Sequence, residues 1–329
     1  MAPRALTFDV TDAAATGESL TQTAWLFLPP RPAGAPAVLV CLAGGTYDKR
    51  YWHPEVPGRS GYSFAEHLAA RGYVVVAVDH LGVGGSSDPA GANGLELLAR
   101  GDAAVAHQIA ERLRAGTLAA GLAPADLPLV GVGHSMGSCL TTMVQSTARP
   151  YEAVVLLGYG VQISNVYEED NSAEALETRI AESERIFRET NGIGPEATSC
   201  VVPRGLLRQL FHAPDVPGEV IAADDAAESR VPVRAASEVT TPGFVAEFAT
   251  SIDVPVFLGL GAALDVSPDP HGEPANYRAS RDVTLHLVEG SAHCHNFAGN
   301  RAVLWDRIAA WVPGALVSSV KATAGVTAR

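Results

Sequence analysis

The stretch Leu129-Val-Gly-Val-Gly-His-Ser-Met-Gly137 is the most informative part of the sequence, because an apolar run ends there in a G-x-S-x-G pentapeptide that leads straight into a helical pattern. This pentapeptide is typical of a nucleophile elbow, a turn from strand to helix that exposes its central serine above the sheet. The turn is so tight that the serine adopts a strained backbone, and glycine on either side avoids a collision with neighbouring atoms. Ser135 is therefore the predicted nucleophile.

The flanks of the pentapeptide agree with this interpretation. Residues 128–132 form a short apolar run suited to a buried parallel strand, and apolar residues recur at helical spacing over 136–144. The helix would begin beside Ser135, where free backbone N–H groups and the helix dipole favour negative charge. We predict the Met136 N–H as one donor of an oxyanion hole.

A serine hydroxyl needs a base to take its proton, and the base needs an anion to fix its tautomer. Ten histidines are present. The loop after the last predicted strand, Glu289-Gly-Ser-Ala-His-Cys-His-Asn-Phe297, holds two candidates. We predict His293, which lies nearer the strand end, and keep His295 as the alternative. His134, next to the nucleophile, is expected to pack behind the elbow.

The acid is expected on a loop at a strand end, between nucleophile and base in the chain. Asp265 follows the apolar run 256–260 and a glycine-bearing turn, and Asp269 is the alternative. Along the chain the candidates follow the order Ser135, Asp265, His293. This order is found in one hydrolytic fold and differs from the orders of the two well-known types of serine protease.

A second oxyanion donor is expected after an earlier strand. The run 38–42 continues into Ala43-Gly-Gly-Thr46, and glycines let a backbone approach substrate closely. We predict the N–H of Thr46, with Gly45 and Tyr47 as alternatives, although two glycines are equally consistent with a simple turn.

Composition narrows the classes of function. The chain has 329 residues, of which 47% are hydrophobic and 18% charged, which indicates a large core. A formal net charge of -13 without a basic patch argues against nucleic acid, and no run approaches the ~20 apolar residues of a membrane span. The first ten residues lack the apolar centre of a signal peptide, which predicts a cytoplasmic location. The four scattered cysteines predict free thiols.

A metal site is not predicted. His293 and His295 flank Cys294, but residues so close in the chain cannot easily converge on one ion, and no distant His or Cys cluster completes a set.

Strand-like runs alternate with helical patterns, which predicts an α/β fold: a mainly parallel sheet with helices on both faces and antiparallel strands at one edge. The interval 159–252 lacks strand-like alternation and reads as a helical cap. Within this interval, Asn171 and Glu174 are predicted to form a capping pair at the start of a helix that Gly192 ends. Further helices are predicted over 204–212 and 242–251. We therefore divide the chain into core (1–158), cap (159–252), core (253–312) and a mobile tail (313–329).

These motifs together resemble an α/β-hydrolase with a helical cap, over about residues 21–312. The resemblance rests on the 43–46 loop, the glycine-rich turn 79–86, the elbow, Asp265 and His293. It implies an eight-stranded sheet, no cofactor, and a substrate pocket between core and cap. Many members carry a histidine where this chain has Gly44. A serine nucleophile disfavours the haloalkane dehalogenase and epoxide hydrolase branches, which use aspartate.

The predicted pocket is apolar. Its walls are the loop 47–53 and apolar residues of the cap, namely Leu206, Leu207, Leu210, Phe211, Phe244 and Phe248. The residues chosen as substrate-binding are Gly45, Tyr47, Tyr159, Leu207 and Phe211. We predict a serine esterase or lactonase that acts on a medium-to-large apolar small molecule through an acyl-enzyme. The alternatives are a carbon–carbon bond hydrolase, an acyltransferase, or a ligand-binding receptor; the sequence leaves a homo-oligomer open.

Overall fold

An eight-stranded sheet forms the centre of the protein. The computed structural model describes residues 2–122, 125–162 and 172–326, and Asn171 lies outside them. The strands are β1 (Arg4–Asp9), β2 (Thr21–Phe27), β3 (Val38–Leu42), β4 (Val74–Val78), β5 (Leu129–His134), β6 (Ala153–Leu157), β7 (Ser199–Val201), β8 (Arg230–Pro232), β9 (Val256–Gly261) and β10 (Val283–Val288). The α-helices are α1 (Thr11–Ala14), α2 (Phe64–Ala70), α3 (Leu95–Arg114), α4 (Met136–Ala148), α5 (Ala173–Asn191), α6 (Arg204–Phe211), α7 (Gly218–Asp225), α8 (Val233–Val239), α9 (Ala246–Thr250) and α10 (Arg301–Val326).

The order of the large sheet is β1-β2-β4-β3-β5-β6-β9-β10. β2 pairs antiparallel with β1 and β4, and the other pairs are parallel. The predicted parallel sheet with an antiparallel edge is therefore confirmed. The chain passes from β3 to β4 on one side and then to β5 on the other, so the carboxyl ends of β3 and β5 flank a topological switch point, where ligands of such sheets bind.

Helices cover both faces of the sheet, as predicted. Successive residues of a strand point to opposite faces. In β3, Val40 joins the apolar cluster that includes Ile109 of α3, while Leu39 joins the opposite cluster with Phe64 of α2 and Trp305 of α10. Burial on both faces explains why β3 and β4 are continuously apolar.

The interval 159–252 contains α5 to α9 and, contrary to the sequence analysis, the short antiparallel pair β7 and β8. Each of these strands has three residues, too few to show alternation. Gly192 ends α5 with a left-handed φ of 64°, as predicted, while Ser172 caps its start by accepting from the N–H of Ala175. The division into core and cap stays a prediction.

Helix α10 extends to Val326, into the stretch set apart in the sequence as a tail. It contains Pro313, which has no N–H to donate to the carbonyl of Ala309 four residues earlier. The hydroxyl of Tyr73, just before β4, donates to this carbonyl at 2.7 Å. A distant side chain thus replaces the hydrogen bond that proline removes from the helix.

The cysteines of the protein, Cys41, Cys139, Cys200 and Cys294, are all free, as predicted. Among the helices described, none is both long and apolar enough for a membrane crossing.

We expect Tyr73→Phe to lower the free energy of unfolding by about 1–2 kcal/mol, because it leaves the Ala309 carbonyl without a donor. Urea denaturation measures this loss. In a Pro313→Ala background the helix supplies its own N–H to Ala309, so the same Tyr73→Phe change should cost less. Equal losses in the two backgrounds would contradict the proposed compensation.

Candidate active site

Ser135 lies between the end of β5 and the start of α4, with φ 54° and ψ -121°. A positive φ is strained for a non-glycine residue and persists only where its surroundings hold it. Here the Ser135 N–H donates to the Leu157 carbonyl of β6 at 2.8 Å. A Cβ at Gly133 would collide with the backbone of the first turn of α4, and one at Gly137 with the carbonyl of Leu42 in β3. Both glycines are thus required by close approaches of backbones.

Asp265 and His293 lie side by side beyond the carboxyl ends of β9 and β10. A parallel bridge between Leu264 and Ala292 continues the pairing of these two strands, so the next residues, Asp265 and His293, lie opposite each other. The Nδ1 of His293 lies 2.8 Å from Oδ1 of Asp265, and both side chains are almost fully buried. The structure therefore brings together the predicted acid and base.

The Asp265 carboxylate is held in its ionised form. Burial is the largest influence and raises its pKa, but the hydrogen bonds and charges of His293 and His295 together outweigh it and hold the pKa well below its usual range. The backbone N–H groups of Gly261 and Val266 donate to the carboxylate at 2.6 and 2.8 Å. An anion with these partners can fix the tautomer of an imidazole.

His295 also contacts Asp265, but through the opposite ring nitrogen. Its Nε2 lies 3.3 Å from Oδ2 of Asp265, and its buried Nδ1 has no hydrogen-bond partner among the described residues. His293 turns Nδ1 to the acid and keeps Nε2 for another group, the arrangement that a serine base requires. This geometry favours His293 over His295.

His134 packs behind the elbow, as predicted. It is fully buried, its ring stacks on Tyr51 at 4.3 Å, and its Nε2 donates to the His293 carbonyl at 2.9 Å. This hydrogen bond ties the loop of His293 to the residue that precedes Ser135. Burial, with a smaller contribution from His293 and His295, holds the pKa of His134 well below its usual value.

The loop after β3 lies against the elbow. A Cβ at Gly44 would come within 2.9 Å of the Ser135 Cβ, so a larger residue at this position would require the loop or the elbow to shift. A Cβ at Gly45 would lie 3.8 Å from the Met136 sulfur, so the loop passes beside the first residue of α4. Thr46 follows with φ 70°. The two predicted oxyanion donors, Met136 and Thr46, therefore belong to adjacent segments.

Helix α6 contacts the loop that carries the candidate base. The N–H groups of His293 and Cys294 donate to the carbonyls of Leu210 and Phe211 at 3.1 and 3.0 Å. The Phe211 ring lies 5.5 Å from that of His293 and stacks on Tyr47 at 5.8 Å. Phe211 thus lies beside the candidate base, and Tyr47 packs against Phe211; their role as pocket walls stays a prediction.

Other predicted pocket residues are placed differently. Tyr159 is buried, with its hydroxyl donating to the Val239 carbonyl at 3.2 Å. Leu207 is half-buried on α6, while Leu206 is 64% exposed. Phe244 and Phe248 line a different cavity of about 620 Å³, bounded by α3, α4, α5, α8 and α9, whose lining includes none of the three candidate catalytic residues.

A buried polar cluster above the loop was missed by the sequence analysis. Arg204 of α6 donates to the Thr46 side chain and, at 2.7 Å, to its carbonyl. Asp224 of α7 accepts from the Tyr47 hydroxyl at 3.1 Å and lies 2.9 Å from the His212 Nε2. These residues belong to no motif. The available signal was an arginine at the first position of a helix, where the dipole disfavours a cation.

Across the described ranges, no group of three or more His, Cys, Asp or Glu side chains is arranged to hold a metal ion.

His134 should make stability depend on acidity. Its folded-state pKa is depressed below the unfolded value of about 6.5, so its contribution to stability is present above pH 6.5 and lost as pH falls below it. We expect His134→Gln to flatten the fall of unfolding free energy between pH 6.5 and 5, by up to about 1.4 kcal/mol per pH unit. Urea denaturation across this range is the measurement, and parallel curves for the two proteins would refute the assignment.

Comparisons with solved structures agree on the fold. A thermophilic esterase from Thermogutta terrifontis aligns with a TM-score of 0.65 and 16% identity, over 95% of this chain and 99% of that one. An esterase from Exiguobacterium antarcticum aligns with a TM-score of 0.59 and 15% identity, over 89% of this chain and 96% of the esterase. A haloalkane dehalogenase variant from Bradyrhizobium elkanii aligns with a TM-score of 0.60 and 13% identity, over 97% of this chain and 99% of the dehalogenase. At such identities the likeness shows the fold alone.

None of the curated protein sequences matches the chain. A family model does: the one described as the alpha/beta hydrolase family matches residues 39–304, most of the sequence. That range contains the elbow, the loop after β3, Asp265 and His293, and the chain belongs to the alpha/beta hydrolase family.

Proposed function

We propose that this chain is a serine hydrolase that cleaves a carboxylic ester or lactone of a medium-to-large apolar substrate. The proposal rests on the buried pair of Asp265 and His293, in which Oδ1 of Asp265 lies 2.8 Å from Nδ1 of His293. This pair lies beyond the carboxyl ends of the parallel strands, as does the strained Ser135 that precedes α4. Esterases among the structures with this fold support ester hydrolysis in general.

In the proposed mechanism, the Ser135 hydroxyl attacks the substrate carbonyl while Nε2 of His293 takes its proton. The ionised Asp265 keeps the proton of His293 on Nδ1 and stabilises the imidazolium that forms. The N–H groups of Met136 and Thr46 stabilise the tetrahedral oxyanion. The imidazolium then protonates the leaving alcohol, and water releases the acid from the acyl-enzyme by the same steps.

The proposed substrate is apolar because of what surrounds the base. The Phe211 ring lies 5.5 Å from that of His293, the Tyr47 ring stacks on Phe211, and Val231 of β8 lies within van der Waals reach of the Gly45 position. The charged groups nearby, Arg204 and Asp224, are buried and engaged with protein atoms. A lactone would meet the same walls as an open ester.

Four free thiols support a reducing, cytoplasmic location.

The first test is a panel of p-nitrophenyl esters and lactones of increasing acyl size. We expect turnover by the wild type with a preference for apolar acyl groups, and a loss of about 10⁴-fold or more in kcat for Ser135→Ala. Ser146→Ala, on the same helix, is the matched control and should keep wild-type rates.

A fluorophosphonate probe should label the wild type and Ser146→Ala but not Ser135→Ala. Failure of the folded wild type to react with the probe and with every ester would favour a ligand-binding receptor instead. Incorporation of labelled oxygen from water into the released acid would separate hydrolysis from acyl transfer to an alcohol.

The second test assigns the base. His293→Gln and Asp265→Asn are each expected to reduce kcat by about 10⁴-fold, the first by removing the proton acceptor and the second by losing the tautomer. His295→Gln should reduce kcat by about tenfold at most, since its Nε2 faces the acid and not the nucleophile. The reverse ranking of the two histidine variants in steady-state kinetics would make His295 the base.

A further inference from the structure

Arg204 is a cation of the cap whose side chain is directed wholly at the loop after β3. The residue is 2% exposed, and its guanidinium donates to both the hydroxyl and the carbonyl of Thr46. Its Cζ lies 3.7 Å from the centre of the Tyr47 ring. A buried guanidinium is costly unless such contacts compensate it.

Arg204 also forms a buried ion pair with Asp224, but without a hydrogen bond. The Nε of Arg204 lies 3.7 Å from Oδ1 of Asp224, and neither atom has a hydrogen-bond partner among the described residues. The directed hydrogen bonds of Arg204 go to Thr46 instead. The burial of Arg204 is therefore best explained by what its hydrogen bonds do for Thr46.

Thr46 has a backbone that requires support. Its φ of 70° lies in the left-handed region, which a β-branched residue rarely adopts and keeps only when its surroundings fix it. Its carbonyl accepts from Arg204 and from the N–H of Ser229 at 2.9 Å, and its hydroxyl accepts from Arg204. Both donors belong to the cap.

The other end of the loop is fixed from the core. Nε2 of His80 lies 2.8 Å from the carbonyl of Ala43, and Nδ1 of the same ring lies 3.0 Å from Asp102. The loop is thus held by a core histidine where it leaves β3 and by the cap arginine where it turns beside Met136.

We propose that Arg204 is a positioning residue of the oxyanion hole: by holding the carbonyl and the side chain of Thr46, it fixes the strained φ and ψ of this residue, so that the N–H on the other side of its Cα points at the developing negative charge. This inference rests on the proposed function. An oxyanion donor acts only when it lies about 2.7–3.1 Å from the oxygen in the transition state. Loss of Arg204 should therefore lower kcat while leaving ground-state binding of the substrate largely unchanged.

The test compares Arg204→Met with Arg208→Met. Methionine keeps the apolar stem and removes every donor, so we expect kcat to fall about 100-fold, at the lower end of the loss for a missing oxyanion donor, with KM within about threefold of wild type. Arg208 lies on the same helix, is half-exposed and pairs with Asp225, and its variant should retain wild-type kcat and KM.

A tetrahedral inhibitor gives a readout that a merely structural role would not move. Phenylboronic acid forms an anionic adduct with a reactive serine and places an oxygen in the hole, so its affinity should fall in parallel with kcat/KM in Arg204→Met. Arg204→Lys, which retains a charge but only one directed donor group, should show a loss of about tenfold and serves as the test if the methionine variant does not fold.

A folded Arg204→Met protein with wild-type kcat would overturn the inference, even if its melting temperature were lower. A rise in KM alone would do the same, because it would assign Arg204 to substrate binding. Both outcomes leave the proposed hydrolase intact, since Ser135→Ala would still abolish turnover. A wild type that is inert to the ester panel and to fluorophosphonate would instead remove the proposed function, and this inference with it.

Discussion

The close approach of three backbones at the elbow is the constraint on which the rest of the site depends. Gly137 at the start of α4 lies against the carbonyl of Leu42, and Gly133 at the end of β5 lies against that same first turn. This contact fixes Ser135 in its positive φ and places it directly beside the loop that leaves β3. Because interiors are close-packed, a side chain at either glycine would displace both segments at once.

His293 and Asp265, the candidate base and acid, are placed by a different contact, the pairing of the last two parallel strands. The register of β9 and β10 continues to the bridge between Leu264 and Ala292, so the next residue of each chain segment is set opposite the other. The hydrogen bond from His134 to the His293 carbonyl joins this pair to the elbow. Burial alone would raise the pKa of Asp265 and favour its protonated form, but His293 and His295 lower the pKa and keep the carboxylate ionised. The negative charge therefore lies beside the His293 ring, where it would stabilise an imidazolium.

Local patterns in the sequence were sufficient for the sheet, because buried parallel strands are continuous apolar runs and the elbow has its own glycine spacing. They also placed Ser135, Asp265 and His293 at strand ends, which topology then brought to one edge. What they could not show depends on contacts between distant residues. The strands β7 and β8 have three residues each, and the arginine on Thr46 is 158 residues away in sequence. The hydroxyl that replaces the bond lost at Pro313 comes from 236 residues away.

Helix α6 restricts how a molecule could reach the candidate site. The carbonyls of its last two residues accept from the N–H groups of His293 and Cys294, and its first residue, Arg204, donates to Thr46 in the loop after β3. Swinging this helix outward would break at least four hydrogen bonds, each contributing roughly 0.5–1.5 kcal/mol, and would remove the Arg204 guanidinium from its contacts with Thr46 and Tyr47. An outward movement of helix α6 is therefore costly, and a path from solvent to Ser135 that leaves these hydrogen bonds intact is favoured over one that breaks them.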